Sequence, residues 1–374
     1  SLPISLKVDE VRSIGPTLGR DSINKGATAA IVGSILVILA VLMYYGPLFG
    51  GVLSFGVILA MLFIFGVLAA LGAALTLPGL AGLVLTIGAA VDGNVISFER
   101  IREELREGRG LKSAMKRGFS NSLSAIIDAN ITTLLAALAL YQYTTGPVRG
   151  FAITLAVGVV ASVFVNIVVV PYVLGLLTDK NQRTYMWSGW EVRGLRLVER
   201  ARPFVFTTGA LAVAAIIYVS ITGLSLSTDF TGGSNAILDV PTSVTTSQVR
   251  AAIDDLGIPG VTGEGATVVE SNEGGTALTR QVSVRVGLGD SAQEATDEFA
   301  SDLAAAVGGT KLSSDFVGPS VGADLRRGAI LAVVVALLLV LVYLAFRFWP
   351  NWVVALAVVL ASAHDVAITL GVQA

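Results

Sequence analysis

The sequence predicts an α-helical polytopic membrane protein with two pseudo-repeated bundles and one inserted α+β ferredoxin-like extracytoplasmic domain. Three observations support this fold class. Of the 374 residues, 54% are hydrophobic and 14% are charged, whereas soluble domains carry roughly a quarter charged residues. Apolar runs of membrane-spanning length follow one another along the chain. One acidic stretch of mixed polarity interrupts them.

Eight spans are expected, because a membrane helix needs about 20 mostly apolar residues. Seven runs lie at residues 27–46, 51–74, 78–98, 121–143, 149–177, 204–223 and 328–347, and an eighth begins near Trp352. A tight turn from Gly46 to Gly51 separates the first two runs. The chain is therefore divided into the end of a first extracytoplasmic region (1–26), a five-span bundle (27–178), a cytoplasmic linker (179–203), one span (204–223), an extracytoplasmic α+β domain (224–326) and further spans (327–374).

The loops between spans predict the orientation in the membrane. Residues 99–120 and 178–203 are both rich in arginine and lysine. Two spans separate these loops, so they lie on the same face, and the positive-inside rule makes that face cytoplasmic. Residues 224–326 then lie outside the membrane, on the opposite face.

The acidic stretch predicts a β-α-β-β-α-β order, which is the split βαβ arrangement. The predicted strands are Asn235–Val240, Ala266–Glu270, Gln281–Gly287 and Lys311–Phe316, and the predicted helices are Ser247–Leu256 and Ala292–Val307. No catalytic motif occurs in this stretch. Its position outside the membrane therefore indicates contact with another molecule there.

An internal repeat supports the two-bundle architecture. Gly15–Asp21 and Gly318–Asp324 both follow the pattern Gly-Pro-x-x-Gly-x-Asp, and each leads into an apolar span. Repeated bundles are a common transporter design, with binding sites at the repeat interface. The counterpart of Asp92 in the second copy would fall beyond Ala374. Because the sequence also begins with Ser1 rather than methionine, we expect both ends to have been cut from a longer protein.

Several function classes are excluded by composition. The chain has no cysteine and one histidine, which excludes thiolate catalysis and disulfides and argues against a zinc site. The stretch Gly108–Ser113 has the wrong spacing for a phosphate-binding loop. We therefore expect no enzyme activity, no metal or organic cofactor and no nucleic-acid partner.

The first candidate site is a carboxylate inside a span. Asp92 lies about 8 residues, or ~12 Å, before Arg100 at the cytoplasmic end of its helix. A carboxylate at the bilayer centre costs at least about 2.5–3.5 kcal/mol on insertion scales, and desolvation favours its protonated form. A proton- or ion-coupling role for Asp92 is therefore predicted, against the alternative of a structural aspartate bonded to neighbouring helices.

The next span carries a polar stripe. Asp128 and Thr132 share one helical face through their i, i+4 spacing, and such a face must contact protein or water rather than lipid. Two interpretations remain open. The stripe either hydrogen-bonds with Asp92 and Asn94 or holds helices together.

The final apolar run holds a third candidate, His364 followed by Asp365. Imidazole titrates near neutral pH, so a His–Asp pair in a span suggests a proton relay. The alternative is a pair satisfied by backbone groups and buried water.

Taken together, these segments resemble the SecD/SecF family of bacterial protein-export membrane proteins. Residues 91–104, 128–133 and 146–151 resemble SecD. Residues 229–234, 318–322 and 364–366 resemble SecF. Both halves in one chain imply the fused form, with 27–178 as the SecD-like bundle and 204–223 and 327–374 as SecF-like spans. Asp92 and Asp365 match the family's intramembrane acidic positions.

The resemblance implies a multi-pass protein of the bacterial inner membrane that uses the proton-motive force, with a sodium gradient as the alternative, late in preprotein translocation. The implied partners are the SecYEG translocon with its accessory membrane subunits, unfolded preprotein on the extracytoplasmic side, and the lipid bilayer. The large first extracytoplasmic domain and the C-terminal spans of the family are missing, so the fragment alone is expected to be inactive. Two alternatives are a resistance-nodulation-division (RND) type exporter of small molecules or lipids and a passive scaffold.

Overall fold

The computed structural model describes residues 10–14, 16–73, 76–179, 201–224, 226–258, 261–271, 279–287 and 293–374. The chain divides into two compact units. The sheet unit comprises Ser1–Lys25 and Ser225–Ile330, and the helical unit comprises Gly26–Leu224 and Leu331–Ala374. The predicted linker 179–203 lies almost entirely outside the described residues, and so does the Gly15 end of the first repeat.

The spans are formed by long helices. They are α1 (Pro16–Ala70), α2 (Leu77–Arg106), α3 (Leu111–Tyr143), α4 (Gly146–Phe164), α5 (Val170–Asp179) and α6 (Ala201–Thr222), followed after the sheet unit by α10 (Pro319–Arg347) and α11 (Trp352–Gln373). Among the described residues, seven helical segments are long and apolar enough to cross a membrane, with α4 and α5 counted as one. The α1 segment contains two of the eight predicted spans.

A sharp reversal divides α1 within the predicted turn. Gly46 has φ 81° and ψ 176°, a backbone conformation that favours glycine. A Cβ on Gly50 would lie 2.8 Å from the Cα of Leu42, an approach that a straight helix does not allow across eight residues. Residues 16–45 and 47–70 therefore form two antiparallel helical arms, the α1 hairpin. Pro47 begins the second arm, where its missing N–H costs little.

The long span after Gly146 contains a π-helical turn. Residues Val165–Val169 form this turn between α4 and α5. Pro171 follows as the second residue of α5, and its ring has no N–H to donate and crowds the carbonyl four residues earlier, at Ile167. The span is thus interrupted just before Pro171 by a π-turn, a feature that is frequent at functional sites.

Aromatic and aliphatic side chains fill the core between α1, α2 and α3. Phe98 is fully buried, and its ring lies edge-on to those of Tyr45 and Phe49, each with centroids 5.2 Å away. In the last part of the chain, α6 and α11 pack closely. A Cβ on Gly371 would lie 2.3 Å from the Cβ of Ala215, so glycine permits this approach.

The sheet unit has the predicted ferredoxin-like order. Its elements are the short α7 (Thr228–Thr231), β2 (Gly233–Pro241), α8 (Thr246–Asp255), β3 (Thr267–Ser271), β4 (Thr279–Val286), α9 (Gln293–Ala306) and β5 (Thr310–Val317). With β1 formed by Glu10–Ile14, the strand order is β1-β5-β2-β4-β3, and every pairing is antiparallel. Leu238, Val282 and Leu303 are fully buried in its core. Thr245 caps α8 through a capping box with Gln248.

One strand was not predicted from the sequence. Residues Glu10–Ile14 form β1, which pairs with β5 from Glu10 opposite Val317 to Ile14 opposite Ser313. β1 ends two residues before Pro16 begins α1, and β5 ends two residues before Pro319 begins α10. The two Gly-Pro repeats thus follow paired strands and precede equivalent helices.

Candidate ion-coupling site

Asp92 lies near the middle of α2, which begins after an N-cap at Thr76 whose Oγ1 accepts from the Gly79 N–H at 3.1 Å. Val91 and Gly93 on either side are buried, but Asp92 is exposed on the surface of the helical unit. Among the described residues, none forms a hydrogen bond or ion pair with its carboxylate. A carboxylate inside a span is costly, and its oxygens are chemically able to take up a proton or bind a cation.

Asn94 lies two residues further on and points into the protein. Its side chain is 1% exposed, and its Nδ2 donates to Oδ1 of Asn166 at 2.6 Å and to the carbonyl of Ala90 at 3.3 Å. Asn166 belongs to the π-helical turn. Gly93 makes this contact possible, because a Cβ there would lie 2.4 Å from Asn166 Nδ2.

Further buried polar contacts join the same helices. The hydroxyls of Ser97 on α2 and Ser122 on α3 lie 2.7 Å apart. Ser162 on α4 approaches Oδ1 of Asn130 on α3 at 3.5 Å. These pairs and Asn94–Asn166 form a polar seam through the first bundle. The sequence analysis did not single out Asn166, Ser162 and Ser97 as site residues. The only sequence feature that could have identified them is that each is a single polar residue in an otherwise apolar run.

Thr132 does not join the seam. Its Oγ1 donates to the carbonyl of Ala129 in its own helix at 2.8 Å, a common way for threonine to satisfy its hydroxyl in an apolar helix. The described contacts therefore give Thr132 no link to Asp92 or Asn94.

Asp128 forms its hydrogen bonds and ion pair with side chains of α10 and of its own helix, not with Asp92 or Asn94. Its Oδ1 accepts from the Tyr343 hydroxyl at 2.7 Å and from Arg347 Nε at 2.8 Å, and Arg347 Nε lies 3.1 Å from Oδ2. Ser124 also bonds Asp128 and Arg347. Both Tyr343 and Arg347 belong to α10. Of the two open interpretations of the stripe, the contacts of Asp128 match the one that joins helices, and neither partner was identified from sequence.

His364 joins Asp365 to α6. Its Nδ1 lies 3.0 Å from Asp365 Oδ1, and its Nε2 lies 3.0 Å from the carbonyl oxygen of Thr208. A carbonyl only accepts, so Nε2 carries a proton. The Nδ1 contact requires a second proton, shared between the imidazole and the carboxylate. Asp365 itself is largely exposed.

The last turns of α2 are held to the α1 hairpin. Arg102 is 4% exposed, and its guanidinium lies 4.8 Å and 5.1 Å from the ring centroids of Tyr44 and Tyr45. It donates to Glu99 Oε1 at 2.7 Å, which also accepts from the Tyr45 hydroxyl at 2.9 Å. Arg102 thus lies in a buried aromatic site.

These observations define a class: a multi-pass α-helical membrane protein with ionisable groups in its spans and an inserted ferredoxin-like domain. The family model described as "Protein export membrane protein SecD/SecF, C-terminal" matches residues 3–179 and 300–374. The chain therefore belongs to the SecD/SecF family.

Individual relatives agree with this family assignment. The chain is 46% identical to the protein translocase subunit SecDF of Thermus thermophilus over 99% of its length, and 33% identical to that of Brucella abortus over 99%. These matches cover 49% and 48% of the two relatives. A crystal structure of the Thermus thermophilus SecDF, described as a translocon-associated membrane protein, matches with a TM-score of 0.90 at 43% identity, over 100% of this chain and 50% of that one. The chain thus spans about half the length of these relatives.

Proposed function

We propose that the full-length protein containing this chain uses the proton-motive force to assist the late steps of protein export, by pulling or releasing preprotein outside the membrane. The observation that carries the proposal is Asp92, an unpartnered carboxylate among the described residues of a spanning helix, in a chain whose relatives are named protein translocase subunits. Those names also favour export of protein over the RND-type small-molecule or lipid exporter. The role is mechanical and requires no enzyme chemistry in this chain.

The energetics are adequate for such a role. A proton crossing a potential of 100 mV releases about 2.3 kcal/mol, which shifts a two-state equilibrium by about 50-fold. Protonation would neutralise Asp92 and remove the cost of a charge in the span. The helix could then repack against its neighbours, with Asn94 and the polar seam holding α2 in register during the change.

The His364–Asp365 pair is the second proposed coupling group. When the shared proton is present, Nδ1 and Oδ1 attract each other, either as imidazolium and carboxylate or as imidazole and carboxylic acid. Without it, a neutral imidazole can donate to only one of its two partners: either the Nδ1 lone pair faces the Asp365 carboxylate, or the Nε2 lone pair faces the Thr208 carbonyl. The pair thus responds to one proton, and Thr208 transmits that response to α6.

The proposed partners are the SecYEG translocon with its accessory membrane subunits, unfolded preprotein at the extracytoplasmic domain, and the surrounding lipid. The proposed energy source is the proton gradient, with sodium as the alternative ion. Both ions suit a carboxylate site, and no organic cofactor is required.

The test uses inverted membrane vesicles with and without the full-length protein. Completion of preprotein translocation is followed after ATP-driven initiation, with the proton gradient intact or collapsed by a protonophore, in sodium-containing or sodium-free buffer. The proposal expects a gain in completion that needs both the protein and the proton gradient. A gain that survives the protonophore but needs sodium assigns the coupling to sodium, and no gain in any condition contradicts the proposal.

A further inference from the structure

The contact between α3 and α10 suggests a role for Asp128 that differs from that of Asp92. Three donor groups surround this carboxylate. The Arg347 guanidinium and the Tyr343 hydroxyl come from α10, and the Ser124 hydroxyl comes from α3 itself. The Asp128 side chain is 17% exposed. Asp128 is therefore fully engaged, whereas Asp92 has no partner among the described residues.

The chemistry of these donors favours one charge state. An ionised carboxylate only accepts hydrogen bonds and offers about four lone-pair positions. A protonated Asp128 would have to give up one acceptor position and place an O–H beside a permanent cation. Arginine stays charged in proteins, and Nε of Arg347 contacts both oxygens of Asp128. The arrangement thus suits a carboxylate that remains ionised.

The position of the contact also matters. α10 is the first span after β5 in the chain, and it carries the second Gly-Pro repeat at its start. α3 belongs to the first bundle. The Asp128–Arg347 ion pair therefore links the two pseudo-repeats, at the end of α10 furthest along the chain from β5.

We propose that Asp128 is an ionic anchor rather than a proton carrier. It fixes α10 against α3, and Arg347 and Tyr343 are the positioning residues that complete the anchor. Any rearrangement driven elsewhere in the spans then takes place around this fixed contact. The anchor is a structural claim that stands apart from the proposed function, and only its second readout below depends on that function.

The first experiment measures the spacing of the two helices. Leu123 on α3 and Phe346 on α10 are exposed, and the chain contains no cysteine. Both are replaced by cysteine in the full-length protein, with any cysteine outside the chain changed to serine. After spin labelling in nanodiscs, electron-electron double resonance gives the distance distribution. We expect a narrow distribution, which Asp128→Asn and Arg347→Gln broaden or shift by about 2 Å or more, the scale of helix movements at interfaces.

The charge-swapped variant, Asp128→Arg with Arg347→Asp, distinguishes an anchor from a proton carrier. An anchor should recover the narrow distribution and the gradient-dependent gain in translocation, because the ion pair is restored with its ends exchanged. A proton carrier cannot be replaced by arginine, so recovered spacing without recovered gain overturns the proposal. Unchanged spacing in both single variants also overturns it. If the charge-swapped variant does not assemble, Asp128→Glu takes its place. Glutamate keeps the negative charge, so a distance distribution as broad or shifted as that of Asp128→Asn would contradict the anchor.

The two proposals fail separately. If vesicles with the wild-type protein show no gradient-dependent gain in preprotein translocation, the proposed function is contradicted but the distance measurements remain valid. A normal gain in wild type with unaltered distances in Asp128→Asn would contradict the anchor alone.

Discussion

Gly93→Ala tests whether the close approach of α2 to the π-helical turn stabilises the membrane bundle. The new Cβ would lie 2.4 Å from Nδ2 and 3.2 Å from Cγ of Asn166. Real Cβ atoms do not approach so closely, so the Asn166 amide must move and its 2.6 Å bond with Asn94 must weaken. Overpacking costs about 1–3 kcal/mol, and the lost hydrogen bond adds about 0.5–1.5 kcal/mol.

An alanine also gains about 0.5–1 kcal/mol over glycine inside a helix. The net expectation is a loss of about 1–3 kcal/mol in the free energy of unfolding, because the overpacking term exceeds the gain in helix propensity. Gly88→Ala is the matched control. Gly88 lies on the same helix, and a Cβ there meets no atom within 4 Å, so this variant should be as stable as wild type or slightly more stable.

The assay is thermal unfolding of the full-length protein in nanodiscs at one fixed scan rate, since unfolding of large proteins is often irreversible. Gly93→Ala should lower the apparent Tm by several degrees relative to Gly88→Ala, at roughly 2–4 °C per kcal/mol for a domain of this size. Equal unfolding temperatures for the two variants would refute the argument, because the same substitution would then be tolerated at a crowded and an open position.

Two further predictions concern the sheet unit. Leu238→Ala removes a fully buried side chain from β2 and should lower the free energy of unfolding of this unit by about 2–5 kcal/mol. Val269→Ala, at an exposed position of the edge strand β3, should change that free energy by less than about 0.5 kcal/mol. Limited proteolysis of the full-length protein measures both effects, and equal protection of the two variants would contradict the assigned core. The hydrogen bond from Lys311 lowers the pKa of Asp297 in the folded protein. The ionised Asp297 therefore stabilises the fold above the ordinary Asp pKa of about 3.9, and this stabilisation disappears as the pH falls through the lower pKa of the folded protein. Asp297→Asn should therefore be less stable than wild type at pH 7, with a difference that shrinks under acid; a constant difference would contradict the assigned cause.

Local patterns predicted much of the fold. Long apolar runs marked the helices, and alternating polarity with turn residues marked the four strands of the ferredoxin-like order. The strand Glu10–Ile14 was missed because its pairing with β5 joins segments some 300 positions apart. Such contacts depend on tertiary structure rather than on local propensity.

The sequence singled out candidate residues but not their partners. Asp92, Asp128 and Asp365 stand out because carboxylates are rare in apolar runs. Asn166, which bonds Asn94, and Arg347, which pairs with Asp128, do not stand out in the sequence. Each is an isolated polar residue until the packing of the π-turn and of α10 is known. Of the two interpretations left open for the polar stripe, a link from Asp128 to Asp92 or Asn94 has no counterpart in the described contacts of Asp128, which lead to α10 instead.

Replacing Asp92 by asparagine in the full-length protein tests the central claim most directly. Completion of preprotein translocation is compared in inverted vesicles containing wild type or Asp92→Asn at matched expression, with and without a proton gradient. The account predicts that Asp92→Asn assembles normally but loses the gradient-dependent gain, because asparagine cannot exchange a proton. If the variant keeps that gain, Asp92 is structural and the proposed coupling through it is contradicted.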